Sequence, residues 1–510
     1  MTMTPDVEVL IVGAGISGIG AGIELLRRGN SSFALLEAAS ELGGTWRDNT
    51  YPGIAVDIPA VSYCFPFETD YAWSREFAVG AEIQEYVKHC AEKYGVTGHV
   101  RYGSRALRCQ FDTARDTWAT QLDDGTVVTS RYLIAATGLL SQPKLPEIPG
   151  LETFAGKAMH TARWDHDHDL TSKRVAVIGT GASAVQVVPE IAPLVAGLRV
   201  FQRTPIWIGP RPDRPLQPGS RLSLRRFSVI RSLLRLVSES GLEFLTFSIV
   251  NYQRFPFVVR LVQRYVRSWM RRQVQDPATA AKLLPGYSLG CKRPTTSNRY
   301  LSAFNRDNVL LVTQPIERIC PEGIVTDDQV LHAVDTIILA TGFLTTEQGN
   351  APSFEVVGSD GVELGQFWEE HRLQAYAGVS VPGFPNFFLT AGPYSGGFNW
   401  FAPLKAHLTH IMGCIDEARA RGVTRVEVRR DVHERYMRHM WQRADGTVFK
   451  SGSCTSANSY YVDRHGDASL PLPHTPWWRA ARESWPRTQS YSFGALANRH
   501  PAAGTPAGAA

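Results

Sequence analysis

The chain contains two copies of a strand, a glycine-rich turn and a helix start, and this repeated unit restricts its fold more than any other feature. The strands predicted at Glu8–Val12 and Val175–Ile178 each end in such a turn. The turns read Gly13-Ala14-Gly15-Ile16-Ser17-Gly18 and Gly179-Thr180-Gly181-Ala182-Ser183-Ala184. In dinucleotide-binding folds, such glycines allow a tight turn, close approach of the backbone to a pyrophosphate, and packing of helix on strand. The sequence therefore predicts an α/β protein with two Rossmann-like dinucleotide-binding domains.

The residues that follow the second strand of each unit differ in charge. Glu37 follows the apolar run Phe33–Leu36, 19 positions after Gly18, where a carboxylate binds the ribose of a dinucleotide. In the second unit the corresponding strand leads to Arg203, and a cation there suits the 2′-phosphate of NADPH. The alternatives are a solvent-facing glutamate and a solvated surface arginine. The charge difference favours NADPH at the second site.

The tripeptide Ala-Thr-Gly follows a buried apolar run twice, at Thr137-Gly138 and again at Thr341-Gly342. Small residues at the end of a buried strand allow a cofactor to approach the backbone. Two copies of this element are consistent with two nucleotide sites.

A further pattern, Phe154-x-Gly156-x-x-x-His160-x-x-x-Trp164-Asp165, precedes the second unit, and no general rule of folding requires its spacing. It resembles the fingerprint of the Baeyer-Villiger monooxygenases, and the resemblance extends from Val9 to about Asp463. The resemblance implies that the chain binds FAD and NADPH and uses molecular oxygen. It also implies a small-molecule ketone substrate, converted to an ester or lactone through a peroxyflavin.

The run after Glu37 carries a second part of the resemblance. Gly43-Gly44-x-Trp46 and Tyr51-Pro52-Gly53-x-x-x-Asp57 match the family pattern that lies along the flavin and presents its aspartate at the reaction face. Taken alone, Pro52-Gly53 would be a turn and Trp46 a core aromatic. The resemblance assigns FAD contacts to Gly44, Thr45, Trp46, Tyr51, Thr137 and Gly138.

The segment Gly290-Cys291-Lys292-Arg293-Pro294 completes the predicted site. The resemblance assigns Lys292 to the NADPH phosphate and Arg293 to the flavin, whereas composition alone favours a basic turn. His160 would couple NADPH binding to domain position rather than act as a general base, with a packed linker histidine as the alternative. Further NADPH contacts are expected at Ser183, Arg203, Thr204, Thr341 and Gly342.

Asp57 and Arg293 are the predicted catalytic pair. Ketone insertion needs an anionic peroxide as nucleophile, and a permanent cation beside it stabilises that anion. Arg293 would supply the cation, and Asp57 would hold Arg293 in place. Removal of one such partner commonly lowers the rate by roughly 10²-fold or more.

The composition of the 510 residues is typical of a globular protein with two or three domains. A net charge of +5 does not indicate nucleic-acid binding. Seven scattered cysteines without a C-x-x-C pair predict reduced thiols in a cytoplasm, and neither a disulfide framework nor a zinc site.

A nucleotide-binding strand close to Met1 leaves no room for a signal peptide, and no apolar run is long enough to span a membrane, so we expect a cytoplasmic protein. The alternating run Asp165–Asp169 predicts a solvated turn rather than a metal site.

These signals predict a FAD-binding domain at 1–146 and 345–497, an NADPH-binding domain at 147–207 and 287–344, a basic insert at 208–286 and a disordered tail at 498–510. The insert has an amphipathic helical pattern, with thirteen arginines and three acids between Arg211 and Arg272. It could contact a membrane surface. A helical subdomain whose arginines are solvated or shield a substrate entrance is favoured, because members of the family carry a helical insert here.

Other functions remain open at this stage. The same fold could oxidise N or S atoms, which would not require Arg293. A flavin disulfide reductase is disfavoured by the lack of C-x-x-C, and a non-catalytic flavoprotein by the presence of Asp57 and Arg293. The segment Ser451–Asp463 resembles a family region that borders the substrate pocket but lacks its tryptophan. The sequence therefore does not select among steroid, cyclic, aryl and natural-product ketones.

Overall fold

The computed structural model describes residues 4–217, 219, 227–345, 352–483 and 487–494, so the predicted tail at 498–510 lies outside the described residues. The described strands, in chain order, are β1 Val7–Val12, β2 Phe33–Leu36, β3 Val100–Arg101, β4 Ala106–Asp112, β5 Thr117–Leu122, β6 Val127–Ala135, β7 Lys157–His160, β8 Arg174–Ile178, β9 Gly197–Phe201, β10 Ile208–Gly209, β11 Thr295–Thr296, β12 Val309–Val312, β13 Ile316–Cys320, β14 Gly323–Thr326, β15 Leu331–Ala333, β16 Thr336–Leu339, β17 Glu355–Val357, β18 Phe387–Leu389, β19 Arg425–Val428 and β20 Tyr491–Gly494. The described α-helices are α1 Ile16–Arg27, α2 Thr45–Asp48, α3 Gly80–Lys93, α4 Ala182–Ile191, α5 Ser228–Val250, α6 Pro256–Arg272, α7 Pro277–Lys282, α8 Tyr300–Ala303, α9 Leu364–His371, α10 Phe401–Arg421, α11 Arg430–Asp445 and α12 Pro476–Glu483.

The larger sheet has the order β17-β4-β5-β6-β1-β2-β3, and β18 also pairs with β6. Its parallel part runs from β3 through β2 and β1 to β6, with α1 connecting β1 to β2. Strands β4, β5 and β6 are antiparallel neighbours, and Asp124-Gly125 lies in the turn between β5 and β6. Residues of β1 are buried on both faces of the sheet, since Val9 and Ile11 pack into one core cluster and Leu10 into another. This two-sided burial explains why β1 is a continuous apolar run.

The second sheet contains five strands in the order β12-β9-β8-β16-β7, and every neighbouring pair is parallel. Helix α4 connects β8 to β9, so the second glycine turn lies between a strand and a helix, as the first does. The order β12-β9-β8, like β3-β2-β1, is that of a dinucleotide-binding fold. Together the two sheets confirm the predicted fold class, an α/β protein with two Rossmann-like units and a helical insert formed by α5, α6 and α7.

Helix α3 begins only at Gly80, and the segment from 70 to 79 is not helical. The preceding segment is held by tertiary contacts instead: the rings of Tyr71 and Trp73 meet edge to face at 4.8 Å, and the Phe77 N–H donates to Asp213. These partners are distant in sequence or depend on the folded core, so local periodicity does not report them.

The prediction that all cysteines are reduced is wrong for one pair. Cys291 and Cys454 form a disulfide across a sequence separation of 163 residues. Spacing along the chain could not indicate this bond, because the fold brings the two segments together. Five cysteines are free: Cys64, Cys90, Cys109, Cys320 and Cys414.

Among the described residues, no helix combines the length and the apolar character needed to cross a membrane.

Candidate functional site

A cavity of about 2550 Å³ lies where the two glycine turns face each other. Its volume exceeds the roughly 300–1,000 Å³ of a typical small-ligand pocket, which leaves room for more than one ligand. Two of the predicted site residues, Gly18 and His160, are not part of its lining. The others all line it: Gly13, Gly15, Glu37, Gly44, Thr45, Trp46, Tyr51, Asp57, Thr137, Gly138, Gly179, Gly181, Ser183, Arg203, Thr204, Lys292, Arg293, Thr341 and Gly342.

The first glycine of each turn packs against an Ala-Thr-Gly element. Gly13 has φ +106°, and a Cβ there would lie 2.6 Å from the carbonyl oxygen of Ala136. Gly179 has φ +116°, and its Cβ would lie 2.4 Å from the carbonyl oxygen of Ala340. Both positions therefore require glycine, because of backbone conformation and because of space. Each Ala-Thr-Gly tripeptide thus packs against the glycine turn of its own nucleotide unit.

Gly18 acts within the fold rather than at the cavity surface. A Cβ at Gly18 would lie 1.8 Å from the carbonyl oxygen of Gly13, so α1 can approach the first turn only without a side chain here. The equivalent position in the second turn is Ala184, which is fully buried. The helix–strand contact is therefore closer in the first unit.

Glu37 is fixed at the end of β2 by three donors. Its Oε2 accepts from the Ala14 N–H at 3.0 Å, and its Oε1 accepts from the Ala39 N–H at 3.0 Å and from Arg47 at 2.8 Å. A carboxylate offers about four acceptor sites, so capacity for a further donor remains. Arg47 is a partner that the sequence analysis did not identify. Although burial lowers the pKa of Arg47, the carboxylates of Glu37 and Asp48 raise it overall.

Two cations occupy the corresponding place in the second unit. Arg203, exposed, follows β9, and Lys292 lies near it in the cavity wall. Burial lowers the pKa of Lys292 to about 8, and the charge of Arg203 adds to that effect. A pair of neighbouring cations with a lowered lysine pKa is suited to an anionic ligand, since an anion would relieve their repulsion.

Arg293 and Asp57 form a bidentate ion pair in the cavity. The Arg293 Nε donates to Asp57 Oδ2 at 3.0 Å, and its Nη2 donates to Oδ1 at 2.9 Å. The Nη2 also donates to the carbonyl oxygen of Phe398 at 3.1 Å. Burial acts to lower the pKa of Arg293, but the Asp57 carboxylate outweighs it and the pKa is raised. The guanidinium is therefore a permanent positive charge in a fixed orientation.

The loop that carries Asp57 is anchored on the second nucleotide unit. The Tyr51 hydroxyl donates to Gln186 Oε1 at 2.8 Å, and the Gln186 Nε2 donates to the Ala55 carbonyl at 2.9 Å. At Gly53, φ is +83° and a Cβ would lie 2.7 Å from the Gln186 carbonyl oxygen. Gln186 lies on α4, so a contact residue of the second unit positions a loop of the first. The sequence analysis missed Gln186, because nothing in a helical glutamine indicates this role.

Aromatic residues complete the wall near Arg293. Trp46 Nε1 donates to the Tyr63 hydroxyl at 3.2 Å. Tyr460 and Tyr461 both line the cavity and interact electrostatically with Arg293, and their rings are 4.7 Å apart. These tyrosines belong to the segment in which the family tryptophan is missing. Its resemblance to a pocket-bordering region was the signal that could have singled them out.

His160 lies at the end of β7, beside the second Ala-Thr-Gly element. It is 5% exposed, and its Nδ1 accepts from the Ala162 N–H at 3.0 Å. Its ring meets Phe343 edge to face at 5.9 Å, and burial lowers its pKa. The structure therefore places His160 against the segment that follows β16, outside the cavity lining.

The run Asp165–Asp169 points its side chains to separate partners. His166 contacts the Thr50 hydroxyl at 2.8 Å, His168 contacts the Thr336 hydroxyl at 2.9 Å, and Asp165 pairs with Lys157 at 2.6 Å. Within the part of the chain that the structure describes, no three His, Cys, Asp or Glu side chains form a metal-binding group.

Comparisons with known proteins agree with this arrangement. The family model described as pyridine nucleotide-disulphide oxidoreductase matches residues 10–229. A Baeyer-Villiger monooxygenase of Streptomyces coelicolor is 36% identical over 472 residues, covering 92% of this chain and 89% of the relative. A Baeyer-Villiger monooxygenase of Pseudomonas aeruginosa is 37% identical over 451 residues, covering 88% and 84%. The crystal structure of OTEMO in complex with FAD and NADP has a TM-score of 0.83 at 28% identity, covering 96% of this chain and all of that one.

Proposed function

The chain belongs to the Baeyer-Villiger monooxygenase family, and we propose from this that it uses FAD, NADPH and molecular oxygen to insert one oxygen atom beside a ketone carbonyl. The product is an ester or a lactone. The observation that carries the proposal is the bidentate Arg293–Asp57 pair in a cavity lined by both glycine turns.

The residues of the cavity fit two dinucleotides. Gly13 and Gly179 leave the backbone of each turn bare beside a helix N-terminus, which suits a pyrophosphate. FAD would be held at the first turn by Glu37, with Gly15, Gly44, Thr45, Trp46, Tyr51, Thr137 and Gly138 around it. When bound and reduced by NADPH, FAD supplies the activation of oxygen.

NADPH would be held at the second turn. Arg203 and Lys292 would share its 2′-phosphate, since two cations lie together where Glu37 stands in the first unit. The remaining contacts would come from Gly181, Ser183, Thr204, Thr341 and Gly342. We propose His160 as a positioning residue for this half, because it packs on Phe343 directly after Gly342.

Arg293 would stabilise the negative charge of the oxygen that attacks the ketone carbonyl. Its raised pKa keeps it charged at physiological pH, and a preorganised cation in a cavity requires no rearrangement during the reaction. Asp57 holds the guanidinium plane through two hydrogen bonds and so fixes its direction. Asp57 in turn is held by the loop that Gln186 anchors.

The test is ester formation from a panel of ketones with ¹⁸O₂, comparing the native protein with Arg293→Ala. We expect ester carrying one ¹⁸O from the native protein and about 10²-fold or greater loss in Arg293→Ala, because the charge is removed and Asp57 loses its partner. Arg293→Lys should recover part of the activity. Arg318→Ala, an exposed arginine outside the cavity, is the matched control.

Two outcomes would count against the proposal. If the native protein oxidises only thioethers or amines, and Arg293→Ala does so equally well, heteroatom oxidation is the activity. If NADPH oxidation yields only hydrogen peroxide with every substrate, the protein is not a monooxygenase. FAD content of each variant, read from its absorbance, separates these outcomes from loss of folding.

A disulfide reductase activity is not favoured by the position of the disulfide. Cys291 directly precedes Lys292, yet neither Cys291 nor Cys454 is part of the cavity lining. A redox-active disulfide must meet the flavin, and this one is separated from the space that would hold it.

We also propose the domain division 1–146 with 345–497, 147–207 with 287–344, and an insert at 208–286. It is supported by the sheets, because the larger sheet contains strands from 7–135 and 355–389 and the smaller sheet contains strands from 157–201 and 309–339.

We also propose a cytoplasmic location, which is supported by five free cysteines. Trapping thiols in intact cells tests it, since a fully oxidised Cys291–Cys454 bond would argue for an oxidising compartment.

A further inference from the structure

The insert presents an apolar face to solvent. Along α5 the exposed side chains are apolar at helical spacing: Val229 is 78% exposed, Leu233 59%, Val237 64% and Phe244 57%. A helix on the surface of a globular protein normally turns its apolar stripe to the core. Contiguous exposed apolar surface marks a site of interaction with a protein or a membrane.

Between Arg235 and Glu243, the side of α5 that faces the protein carries charged residues. Arg235 pairs with Glu239 at 2.7 Å. Glu243, only 8% exposed, accepts from the Trp477 N–H at 3.0 Å. The polarity of this part of α5 is therefore inverted relative to a helix that packs only on its own domain.

Helix α6 exposes a second apolar stripe and adds positive charge, and Phe255 links the two helices, because its ring stacks on Phe247 of α5 and meets Phe257 of α6 edge to face. Phe257, Leu261 and Tyr265 lie four residues apart and are 63%, 67% and 62% exposed. Arg260 and Arg264 flank them, both exposed, and among the described residues neither forms an ion pair. From 228 to 272 the chain has eight arginines and two acids. An apolar stripe bordered by arginines is the pattern of a helix that lies in the interface of an anionic bilayer.

We propose that the outward face of α5 and α6 docks on the surface of an anionic lipid membrane, with the two helices lying in the plane of the interface. The sequence alone favours a helical subdomain over a membrane contact. The structure favours the membrane contact, because the exposed side chains between the arginines are apolar. A second copy of this chain is a poorer occupant. An isologous contact would bring the same arginine-rich surface of both copies together without acids to neutralise it.

Docking would also place the cavity beside the lipid. Leu242, Thr246 and Ile249 of α5 line the cavity, and exposed Trp477 of α12 lies at its edge. The wall of the site and the outward face are thus two sides of one helix. This step rests on the proposed function: the substrate class it indicates is an apolar ketone dissolved in the membrane.

The experiment is flotation of the full-length FAD-loaded protein with vesicles of phosphatidylcholine alone or mixed with phosphatidylglycerol. We expect binding to the mixed vesicles that weakens at high salt. The combined variant Leu233→Glu, Phe257→Glu, Leu261→Glu should lower the partition coefficient by at least about 100-fold, because three apolar anchors become acidic. Arg260→Gln with Arg264→Gln should lower it by about fivefold per arginine on mixed vesicles only.

The matched control is Leu107→Glu, Leu194→Glu, Leu331→Glu, which makes the same charge change at leucines 46%, 55% and 49% exposed on other elements. Equal loss in the control, or no flotation of the native protein, would overturn the proposal. A native dimer that the α5–α6 variant converts to a monomer, without flotation, would assign the face to a second copy. Flotation involves no turnover, so its failure is independent of the failure of the proposed activity.

Discussion

The two glycine turns have nearly the same backbone conformation but different surroundings. Gly13 and Gly179 have nearly the same φ, and each leaves room for the carbonyl oxygen of an alanine in an Ala-Thr-Gly element. The first turn is enclosed further, because a Cβ at Gly15 would lie 3.5 Å from Gly44, whereas Gly181 has open space around it. We therefore expect a ligand at the first turn to exchange more slowly than a ligand at the second.

The two turns also differ in the charge of the side chains near them. Glu37 follows β2 and accepts from three protein donors, while Arg203 follows β9 and has Lys292 near it. A carboxylate suits ribose hydroxyls, and paired cations suit a phosphate. Under the proposed function, the residues at the strand ends, rather than the turns, would distinguish the two dinucleotides.

Replacing the first glycine of each turn should give the largest effects, and each replacement should affect the binding of a different cofactor. Gly13→Ala should lower FAD occupancy, and Gly179→Ala should lower NADPH affinity, each by about 100-fold or more, because the new Cβ meets a carbonyl oxygen at a positive φ. FAD content and titration with NADPH measure the two effects. Gly125→Ala, at a hairpin turn with positive φ but open space, is the control. Loss of FAD from Gly179→Ala would break the assignment of the turns.

Removing the cations should change the choice of nicotinamide cofactor. Arg203→Ala or Lys292→Met should raise the KM for NADPH by about tenfold to 100-fold and leave that for NADH nearly unchanged, since only the phosphate contact is lost. Steady-state rates with both cofactors measure this. Arg199→Ala, on β9 outside the cavity lining, controls for general loss of charge. Equal losses with NADPH and NADH would contradict the phosphate role.

The pH dependence of NADPH binding should give the smallest effect. Burial, with Arg203 beside it, lowers the pKa of Lys292 to about 8, so the charged form is lost as the pH rises through that value. We expect the KM for NADPH to rise several-fold between about pH 7 and pH 9, with little change in the KM for NADH. Lys292→Arg should flatten the profile, because arginine stays charged. A profile for Lys292→Arg that matches the native one would assign the titration to another group.

Local signals predicted the parts of the site that lie within one nucleotide unit. A strand, a glycine turn and a helix are neighbours in sequence, so the residues at Gly13, Glu37, Gly179 and Arg203 could be named before any contact was known. The Asp124-Gly125 turn between β5 and β6 is likewise a local signal. Helix α3, in contrast, begins only at Gly80, because the segment before it is held by residues far away in the chain, such as Asp213.

The sequence by itself determined the fold class and the two nucleotide units, because their periodicity and turns are encoded in short stretches. Only the tertiary structure decided which distant groups meet. It brought Gln186 to Tyr51 across 135 residues, and it set the two-hydrogen-bond geometry of the Arg293–Asp57 pair that the family resemblance implied. It likewise joined Cys291 to Cys454 and turned the apolar stripe of α5 away from the core. These outcomes depend on how separate elements pack, and the free energy of packing is a property of the whole chain rather than of any window within it.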